Sequence, residues 1–445
     1  MKYPSHVHGL TRQWGLIQQL VLVLYRFRYH NCLKGRYDTA MKQFHDVVII
    51  GGGFVGTSLA IALEHSGLDV GLVECTRPGA LPPVFDQRHL ALSAATVNAL
   101  ERLGVMAKLH YFAAPVRQIF VSRSGDFGRV QLNARDFGRT SFGHVALAQD
   151  IGHALDARVS QLAQLTRYRP ARCIGFDPVA DGRRRIHLVC KDDETLQLHA
   201  RLVVGCDGSL SAVRTALRIE TDIVDYHQTL VVARVQARNR PDGTAWERFT
   251  ATGPTALLPR GDQHYGAIHC VDRSSVAKLA AMEDSQWLKT LQAVLGSRVG
   301  QFLSTGPRHF YPLVQSRALS CIAARTILMG NAAQTIHPIG AQGFNLGLRD
   351  ALTLAQLLQP GHQPLDPGGE TIVTAYDGLR RPDREQTIAF SAGMARLTSR
   401  RGAMVHCLRS IGLMMVAHQS WLQAAIAGGA MGFRGNVPSL CQEMT

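Results

Sequence analysis

Residues 47–56 read VVIIGGGFVG, four apolar β-branched residues that run directly into a G-x-G-x-x-G pattern. A continuous apolar run of this kind is typical of a strand buried on both faces of a parallel sheet. Gly51 allows a tight turn, Gly53 lets the backbone approach a pyrophosphate, and Gly56 lets the following helix pack close to the strand. The stretch therefore predicts the strand, loop and helix of a dinucleotide-binding unit.

The residues that follow complete the same unit. Their spacing predicts a helix over 58–66 and a second strand over 70–73, which ends at Glu74, about twenty residues beyond the loop. A carboxylate at that point accepts hydrogen bonds from ribose hydroxyls, and the helix N-terminus offers N–H groups to phosphates. A plain glycine-rich turn is the alternative, but it does not explain the second strand and its acid. The loop leaves FAD and a nicotinamide cofactor open, because both contain adenosine diphosphate.

Two distant segments add further motifs. Residues 201–208 read RLVVGCDG, a predicted buried strand that ends in Asp-Gly and is followed by a predicted helix with Ser211 and Arg214. Residues 326–350 read TILMGNAAQTIHPIGAQGFNLGLRD, a predicted strand over 326–329 followed by a loop rich in Gly and Pro. Such a loop is rigid but sterically open, and an apolar helix is predicted after it, over 351–358.

In this order and spacing, the three motifs resemble those of the FAD-dependent aromatic hydroxylases with the p-hydroxybenzoate hydroxylase fold. The HPxxxQGxNxGxxD stretch at 337–350 is similar to that of the ubiquinone-biosynthesis hydroxylases, in particular the 2-polyprenyl-6-methoxyphenol hydroxylase (UbiH) type. The resemblance extends from residue 46 to about residue 415. It is supported by FDQRHLAL at 85–92, ERFT at 247–250, GP at 253–254, LP at 258–259 and RPDRE at 381–385.

The fold that this resemblance implies is α/β. It has a Rossmann-like FAD-binding domain, a mostly antiparallel β-sheet substrate domain and a helical C-terminal region. The FAD-binding domain is expected to be discontinuous, over 41–112, 138–220 and 318–360, and residues 1–40 to be an N-terminal extension. The substrate domain is expected over 113–137 and 221–317, where alternating segments at 230–235, 245–250 and 265–271 predict antiparallel strands. The helical region is expected over 361–445.

The resemblance also implies a set of cofactor-binding residues and no metal site. The set is Gly51, Gly53, Gly56, Glu74, Arg88, Asp207, Gly208, Asn331, Pro338, Gln342, Gly343 and Asn345. Arg88 is expected over the flavin phosphates or ribityl chain. The loop that leads into Gly343 is expected to aim N–H groups at the N1–C2=O edge of the isoalloxazine. Two departures from the family pattern are Asn331, where an Asp is usual, and Gly340-Ala341, where Ala-Gly is usual.

The implied activity is aromatic-ring monooxygenation in ubiquinone biosynthesis. NAD(P)H, bound transiently, would reduce FAD, and O2 would then yield a flavin hydroperoxide that hydroxylates a polyprenyl methoxyphenol. No catalytic residue is assigned, because His337 is as consistent with a structural role as with acid–base chemistry. Two alternatives stay open. One is another small aromatic substrate, such as a soluble phenolic acid, for which Arg248 is the candidate carboxylate ligand. The other is an FAD-bound structural member of a ubiquinone-biosynthesis complex.

The predicted substrate sheet also carries apolar side chains that suit either a pocket or plain core, namely Trp246, Phe249, Leu257, Leu258 and Tyr265. The chain has 445 residues, 46% of them hydrophobic and 18% charged, a composition that excludes wholesale disorder. Nine scattered cysteines without a C-x-x-C pair predict free thiols and argue against zinc. The net charge of +15 favours anionic partners, but the cationic residues form no cluster with aromatics, so nucleic acid is not expected.

Membrane contact is the remaining question for the sequence. No apolar window reaches the roughly 18 residues that a spanning helix needs, so 16–24 and 411–433 are predicted to be interfacial or core helices. A basic, apolar C-terminal region suits peripheral contact with an anionic membrane, although a solvated helix followed by a core-packing helix explains it equally. Residues 1–40 are interpreted as an upstream start or extension, an amphipathic helix, or a targeting peptide. The expected location is cytoplasmic, peripheral on the inner membrane, with the mitochondrial matrix face as the alternative.

Overall fold

The computed structural model describes residues 43–109, 113–340, 342–359, 366–399 and 402–443, and the predictions made for residues 1–40 lie outside these ranges. The strands are β1 Phe44–Ile50, β2 Val70–Val73, β3 His89–Ser93, β4 Ala114–Pro115, β5 Gln118–Arg123, β6 Arg129–Asn133, β7 Gly143–Leu147, β8 Leu165–Tyr168, β9 Ala171–Phe176, β10 Arg184–Cys190, β11 Thr195–Gly205, β12 Thr221–Ala237, β13 Thr244–Thr250, β14 Gly253–Pro259, β15 Tyr265–Asp272, β16 Phe302–Thr305, β17 His309–Ala318, β18 Ile322–Ala323, β19 Thr326–Leu328 and β20 Gln334–Thr335. The α-helices are α1 Phe54–Ala62, α2 Ala94–Arg102, α3 Ala148–Val159, α4 Ala212–Ala216, α5 Val276–Ala280, α6 Asp284–Leu295, α7 Gln342–Leu357, α8 Glu370–Ser399, α9 Ala403–His418 and α10 Ser420–Ala430.

The first large sheet is built around β1. Its main path runs β18-β19-β11-β1-β2-β8, in which β1 is parallel to both β2 and β11, and β9 and β10 extend the sheet from β11 in antiparallel fashion. Val47 and Ile49 belong to one apolar core, and Val48 and Ile50 to another on the opposite face. The uninterrupted apolar run in the sequence is explained by this burial on both faces.

The bounds of two predicted helices differ from those observed, whereas the predicted strand over 70–73 coincides with β2. Helix α1 begins at Phe54 rather than at residue 58, because the Thr57 N–H donates to the Gly53 carbonyl (3.0 Å) directly at the end of the glycine loop. It ends four residues early, where the Ser66 hydroxyl bonds the Leu63 carbonyl (2.7 Å) before the turn at Gly67. The helix predicted over 351–358 is the second half of α7, which begins at Gln342.

The second large sheet follows the path β20-β17-β12-β15-β14-β13-β5-β6, with β16 paired to β12. All of its pairs are antiparallel except β13 with β5. The predicted strands over 230–235, 245–250 and 265–271 lie in β12, β13 and β15. One face packs on α6, where Trp287 is fully buried against residues such as Val231 and Leu257. The other face is left for a cavity.

The remaining elements close the structure around these sheets. A three-stranded sheet has the order β3-β7-β4, and α9 packs against β6 of the second large sheet. In the described ranges, no helix is both long enough and apolar enough to cross a membrane. The eight cysteines of the described part of the chain are free thiols. The predicted residue numbers of the domain boundaries stay a prediction.

Candidate functional site

A cavity of about 1420 Å³ is lined by residues of both large sheets and of the helices α8, α9 and α10. It takes in every predicted cofactor residue except Gly56, that is Gly51, Gly53, Glu74, Arg88, Asp207, Gly208, Asn331, Pro338, Gln342, Gly343 and Asn345. Gly56 serves packing instead, since a Cβ there would lie 2.0 Å from the Gly51 carbonyl oxygen. Motifs that are far apart in the sequence therefore meet at one site.

The glycine loop forms a cradle that any side chain would fill. Gly51 has a φ of +107°, and a Cβ on it would lie 2.5 Å from the Cys206 carbonyl oxygen at the end of β11. Helix α1 follows with Gly53 as its N-cap residue and without a side-chain cap. Its first N–H groups and the positive end of its dipole are therefore left for an anion such as a pyrophosphate.

Glu74 stands at the carboxyl end of β2, beside this loop. Its Oε2 accepts a hydrogen bond from the Gly52 N–H (2.8 Å) and its Oε1 one from the Thr76 N–H (2.7 Å). The side chain is held rigidly by these bonds and is 8% exposed. Because a carboxylate oxygen accepts more than one hydrogen bond, both oxygens keep capacity for ribose hydroxyls.

Asp207 and Gly208 follow β11 on the other side of the loop. The Asp207 Oδ2 accepts from the Val213 N–H (3.1 Å), while its Oδ1 is buried and has no hydrogen-bond partner among the described residues. Burial raises the pKa of this carboxyl group. Gly208, with a φ of +84°, turns the chain into the loop before α4. The unsatisfied oxygen fits a hydroxyl group of a bound cofactor.

Arg88 places a cation at the cavity wall. Its Nε donates to both oxygens of Asp86 (2.9 Å each), and the guanidinium lies over the ring of Tyr311, 5.2 Å from its centroid. The Nη1 group makes no hydrogen bond to any residue of the described ranges, so it is available to a phosphate. Asn331 is exposed and lines the same cavity from the turn after β19.

The loop before α7 has an internal structure of its own. Gly340 has a φ of +74°, so the shifted glycine occupies a position that favours glycine, while Ala341 lies outside the described residues. Asn345 clamps β3, because its Oδ1 accepts from the Ser93 N–H and its Nδ2 donates to the Ala91 carbonyl (both 3.0 Å). This anchoring role was not part of the sequence-based prediction.

His337 supports that loop and does not line the cavity. Its Nδ1 accepts a hydrogen bond from the Ile339 N–H (3.3 Å), and its carbonyl accepts one from the Ser391 hydroxyl (2.9 Å). Burial lowers the pKa of His337 to about 4, so the ring is neutral at pH 7. Of the two roles left open for it, these contacts favour the structural one.

The half of the cavity away from the glycine loop is largely apolar. Of the side chains proposed as pocket or core, Phe249 and Leu258 line it, whereas Trp246, Leu257 and Tyr265 pack in the core on the opposite face of the sheet. Helices α8 to α10 add an apolar wall that the sequence did not predict, formed by Phe390, Met394, Leu397, Leu408, Leu413, Val416 and Ile426. The apolar run at 411–433 was visible, but its packing partners were not.

Strand β13 contributes a carboxylate to this apolar half. Ala245, Glu247 and Phe249 line the cavity, and Arg248 does not. Burial raises the pKa of Glu247 to about 7. The sequence analysis used the ERFT segment at 247–250 only as support for the family resemblance and did not single out Glu247. The two-residue period of a strand does predict that residues 245, 247 and 249 share a face.

A buried ion cluster joins the second large sheet to the C-terminal helices. Asp126, between β5 and β6, accepts hydrogen bonds from the Arg409 Nε (3.0 Å) and the His406 Nδ1 (2.5 Å) of α9. Arg123 donates to the same carboxylate (3.2 Å). Burial raises the pKa of Asp126, but the hydrogen bonds from Arg409 and His406 outweigh it, so the pKa is lowered overall. The cluster fixes α9 over the cavity.

The donor set fits FAD. The N-terminus of α1 and Arg88 suit the phosphates, and Glu74 and Asp207 suit the hydroxyl groups. Together with the apolar half, the site has the space for a dinucleotide and an apolar substrate side by side.

Comparison with known proteins agrees with this geometry. Residues 45–391 match the FAD binding domain family. The chain is 31% identical to the ubiquinone hydroxylase UbiL of Rhodospirillum rubrum, over 87% of this chain and 89% of that protein. It is 29% identical to the 3-demethoxyubiquinol 3-hydroxylase of Escherichia coli, over 70% and 79% of the two chains.

A solved structure shows the same fold. The p-nitrophenol 4-monooxygenase PnpA from Pseudomonas putida superposes with a TM-score of 0.74 at 18% identity, over 89% of this chain and all of that one. The predicted α/β fold class and the predicted enzyme class are thus confirmed. The chain belongs to the FAD-binding domain family of flavin-dependent monooxygenases, which includes the ubiquinone-biosynthesis hydroxylases.

Proposed function

We propose that this protein hydroxylates the aromatic ring of a polyprenyl phenol, of the methoxyphenol type used in ubiquinone biosynthesis, with NAD(P)H and O2 as co-substrates. The observation that carries the proposal is the continuity of the cavity, which runs from the glycine loop to the apolar wall of α8 to α10. In the balanced reaction, a ring C–H, O2, NAD(P)H and a proton yield a ring C–OH, water and NAD(P)+. The chemistry that bound FAD supplies is the transfer of electrons from NAD(P)H to O2 and the delivery of one oxygen atom.

The residues of the chain contribute position and exclusion of water. Leu230, Val232 and Ile268 of the second sheet present an apolar surface to the substrate half of the cavity. Such walls hold an aromatic ring in one orientation and keep out the water that would divert the reaction to peroxide release.

The apolar wall supports a prenylated substrate in particular. Phe390, Leu397, Leu408 and Ile426 line the cavity and are also 53%, 46%, 63% and 42% exposed, so the cavity opens through an apolar surface. That surface continues on α9 and α10 with Met404, Ile411, Met414, Met415 and Trp421. A prenyl chain would extend through this opening, and contact with a bilayer would let the substrate enter without crossing water.

We therefore propose peripheral membrane contact through α8 to α10, at the bacterial inner membrane or at the matrix face of a mitochondrion. Apolar area rather than charge is the main support, because Arg380, Arg384 and Arg409 are buried in ion pairs. The arginine-rich C-terminal region thus presents fewer cations to an anionic surface than its composition suggested.

A soluble phenolic acid is the weaker candidate substrate. Arg248, the residue singled out as a carboxylate ligand, is absent from the cavity lining, while the neighbouring Glu247 faces the cavity. A carboxylate near Glu247 would be repelled by it, so the site favours an uncharged phenol. The other alternative is a structural role in a biosynthetic complex, and absence of turnover in the following experiment would favour it.

The test is NADPH oxidation by the FAD-loaded full-length protein with a short-chain prenyl methoxyphenol. We expect the phenol to stimulate oxidation and to gain the mass of one oxygen atom. The same phenol without its prenyl chain serves as the matched control and should give a higher KM. Bound flavin without stimulation by either phenol would contradict the hydroxylase proposal and favour the structural role.

A further inference from the structure

Glu247 occupies the middle of the apolar sheet face that lines the cavity. Within β13 it stands between the inward-facing Ala245 and Phe249. Its partners across the sheet are Ala256 of β14 and Val121 of β5, which also line the cavity. A carboxylate is therefore surrounded on both neighbouring strands by side chains that offer it no hydrogen bond.

Glu247 makes no hydrogen bond and no ion pair with any residue of the described ranges, and no neighbouring charge shifts its pKa, which burial alone raises to about 7. The other acids of the cavity wall are held in place: Glu74 by two backbone N–H groups, Asp126 by Arg409, Asp207 by the Val213 N–H and Asp383 by Arg380. Glu247 is half-buried, and a carboxylate without a partner in an apolar wall costs stability, because its desolvation is not compensated. Its place in an apolar wall indicates a hydrogen-bond donor supplied by a ligand.

We propose that Glu247 binds the phenolic hydroxyl of the substrate and accepts its proton as the ring is hydroxylated. This inference rests on the proposed function and identifies the residue that would act on the substrate. In water, solvent competes for both the phenol hydroxyl and the carboxylate, whereas in an apolar cavity the carboxylate is a strong acceptor for that hydroxyl.

The proton balance of the step is closed. The phenol O–H bond breaks, its proton moves to Glu247, and its electron pair enters the ring, which makes the ring carbon a better nucleophile toward an oxygen atom of O2 that has been activated by the two electrons of NAD(P)H. The C–O bond forms as the O–O bond breaks, and the second oxygen atom leaves as water. The ring then loses the proton of the attacked carbon to solvent, and Glu247 returns its proton to the phenolate oxygen. The carboxylate is thus regenerated in each turnover.

Few other titratable groups face Glu247 from the elements packed on β13. Strand β14 presents Pro254, Ala256 and Leu258 to the cavity, none of which titrates. Arg123 of β5 forms an ion pair with Asp126, and Asp383 of α8 forms one with Arg380. Helix α6 lies on the opposite face of the sheet, so its charged residues do not reach the cavity. A pH limb of kcat near neutrality that disappears in Glu247→Gln would therefore be assigned to Glu247.

The test compares the wild-type holoenzyme with Glu247→Gln, which keeps the shape and removes the acid. We expect kcat for ring hydroxylation to fall about 100-fold, within the usual range for loss of a general base. In the wild type, kcat should rise with pH through about 7 as Glu247 loses its proton, and this limb should be absent in the variant. Arg248→Gln, on the other face of β13, is the matched control and should keep the limb.

A second readout needs no turnover. The FAD-loaded protein is titrated with a prenyl methoxyphenol and with its methyl ether, and binding is followed by the flavin absorbance. The wild type should prefer the phenol, and Glu247→Leu should lose that preference. Equal binding of both probes by the wild type would overturn the role of Glu247, even if the proposed hydroxylation were observed.

The two proposals can fail separately. Hydroxylation by Glu247→Gln at the wild-type rate and with the same pH limb overturns the inference and leaves the proposed function intact. Absence of hydroxylation in the wild type overturns the proposed function, while the binding preference still decides whether Glu247 binds the phenol. Glu247→Gln should fold, since it removes a half-buried charge that has no partner in the described ranges, and Glu247→Asp, which retains the acid, should recover part of the rate and the pH limb.

Discussion

At the glycine-loop end of the cavity, Glu74 shares both carboxylate oxygens with backbone N–H groups, whereas at the sheet end Glu247 has no partner in the described structure. The first carboxylate is held by residues within about twenty positions of it. The second stands among apolar side chains from strands and helices scattered over the chain. The glycine-loop end is preformed by local backbone geometry, whereas the role proposed for Glu247 requires a ligand to supply the hydrogen-bond donor.

The largest effect is expected at the preformed end. Gly51→Ala should abolish FAD binding, because a Cβ there would lie 2.5 Å from the Cys206 carbonyl oxygen and the φ of +107° disfavours any side chain. The measurement is the flavin content of the purified protein. Gly378→Ala, in the exposed middle of α8, is the control and should retain full flavin content, since it meets no atom within 4 Å. Full flavin content in Gly51→Ala would contradict the cradle.

The next effect concerns the link between the two ends. Arg380 is fully buried, and its Nε donates to Asp350 of α7 (2.7 Å), the helix that begins in the cofactor loop. Arg380→Ala would remove the ion pair of Asp350 and leave Asp383 paired with Arg349 alone, and it should lower the free energy of unfolding by about 3–5 kcal/mol.

Denaturant unfolding of the holoenzyme measures this loss. Arg381→Ala, one position along the helix and 60% exposed, is the matched control and should cost less than about 1 kcal/mol. Equal losses for the two variants would show that α8 is not anchored through Arg380.

A smaller effect, on FAD affinity, is expected when the carboxylates of Glu74 and Glu247 are each replaced by an amide. Glu74→Gln keeps one acceptor oxygen and loses the hydrogen bond to either Gly52 or Thr76, so FAD affinity should fall about 10- to 100-fold, the equivalent of 1.5–3 kcal/mol for a charge-assisted hydrogen bond. Titration of the apoprotein with FAD measures it. Glu247→Gln should leave FAD affinity unchanged, and a similar loss in both variants would remove the distinction between the two ends.

The smallest effect is expected at the opening of the apolar half. Leu408 lines the cavity and is 63% exposed, so Leu408→Gln should remove only part of its apolar contact with a prenyl chain. KM for a long-chain substrate should rise about threefold, in line with partial loss of an apolar contact, while KM for the unprenylated phenol stays constant. Leu319→Gln, exposed but outside the cavity lining, is the control. A rise for both phenols would contradict a prenyl-specific wall.

Much of the geometry at the glycine-loop end could be predicted from the sequence. Residues 70–73 form a strand as predicted, and the predicted residues from Gly51 to Asn345 meet at one cavity, apart from Gly56, which packs behind it. The predicted start of α1 was four residues too late. The first turn of the helix follows directly from the glycine loop, and this part of the sequence shows no apolar periodicity that would predict a helix.

The substrate end was harder to predict because its parts become neighbours only through long-range packing. The alternation of β13 predicts that 245, 247 and 249 share a face, but not that this face lines a cavity and the other meets Trp287. In the same way, the basic C-terminal composition did not reveal that Arg380, Arg384 and Arg409 are buried ion-pair partners.

What the sequence determines at the glycine loop, and what only the tertiary structure determines around Glu247, differ for a physical reason. A glycine turn, a buried parallel strand and the acid at its end are dictated by backbone sterics and hydrogen bonding over a few consecutive residues, so the chain specifies them locally. The enclosure of Glu247 depends on β5, β13, β14 and α8 to α10 packing together across about 300 residues, and burial alone gives that carboxyl group a pKa of about 7. That burial cannot be predicted from composition or residue spacing, because it arises only when the packed elements exclude water.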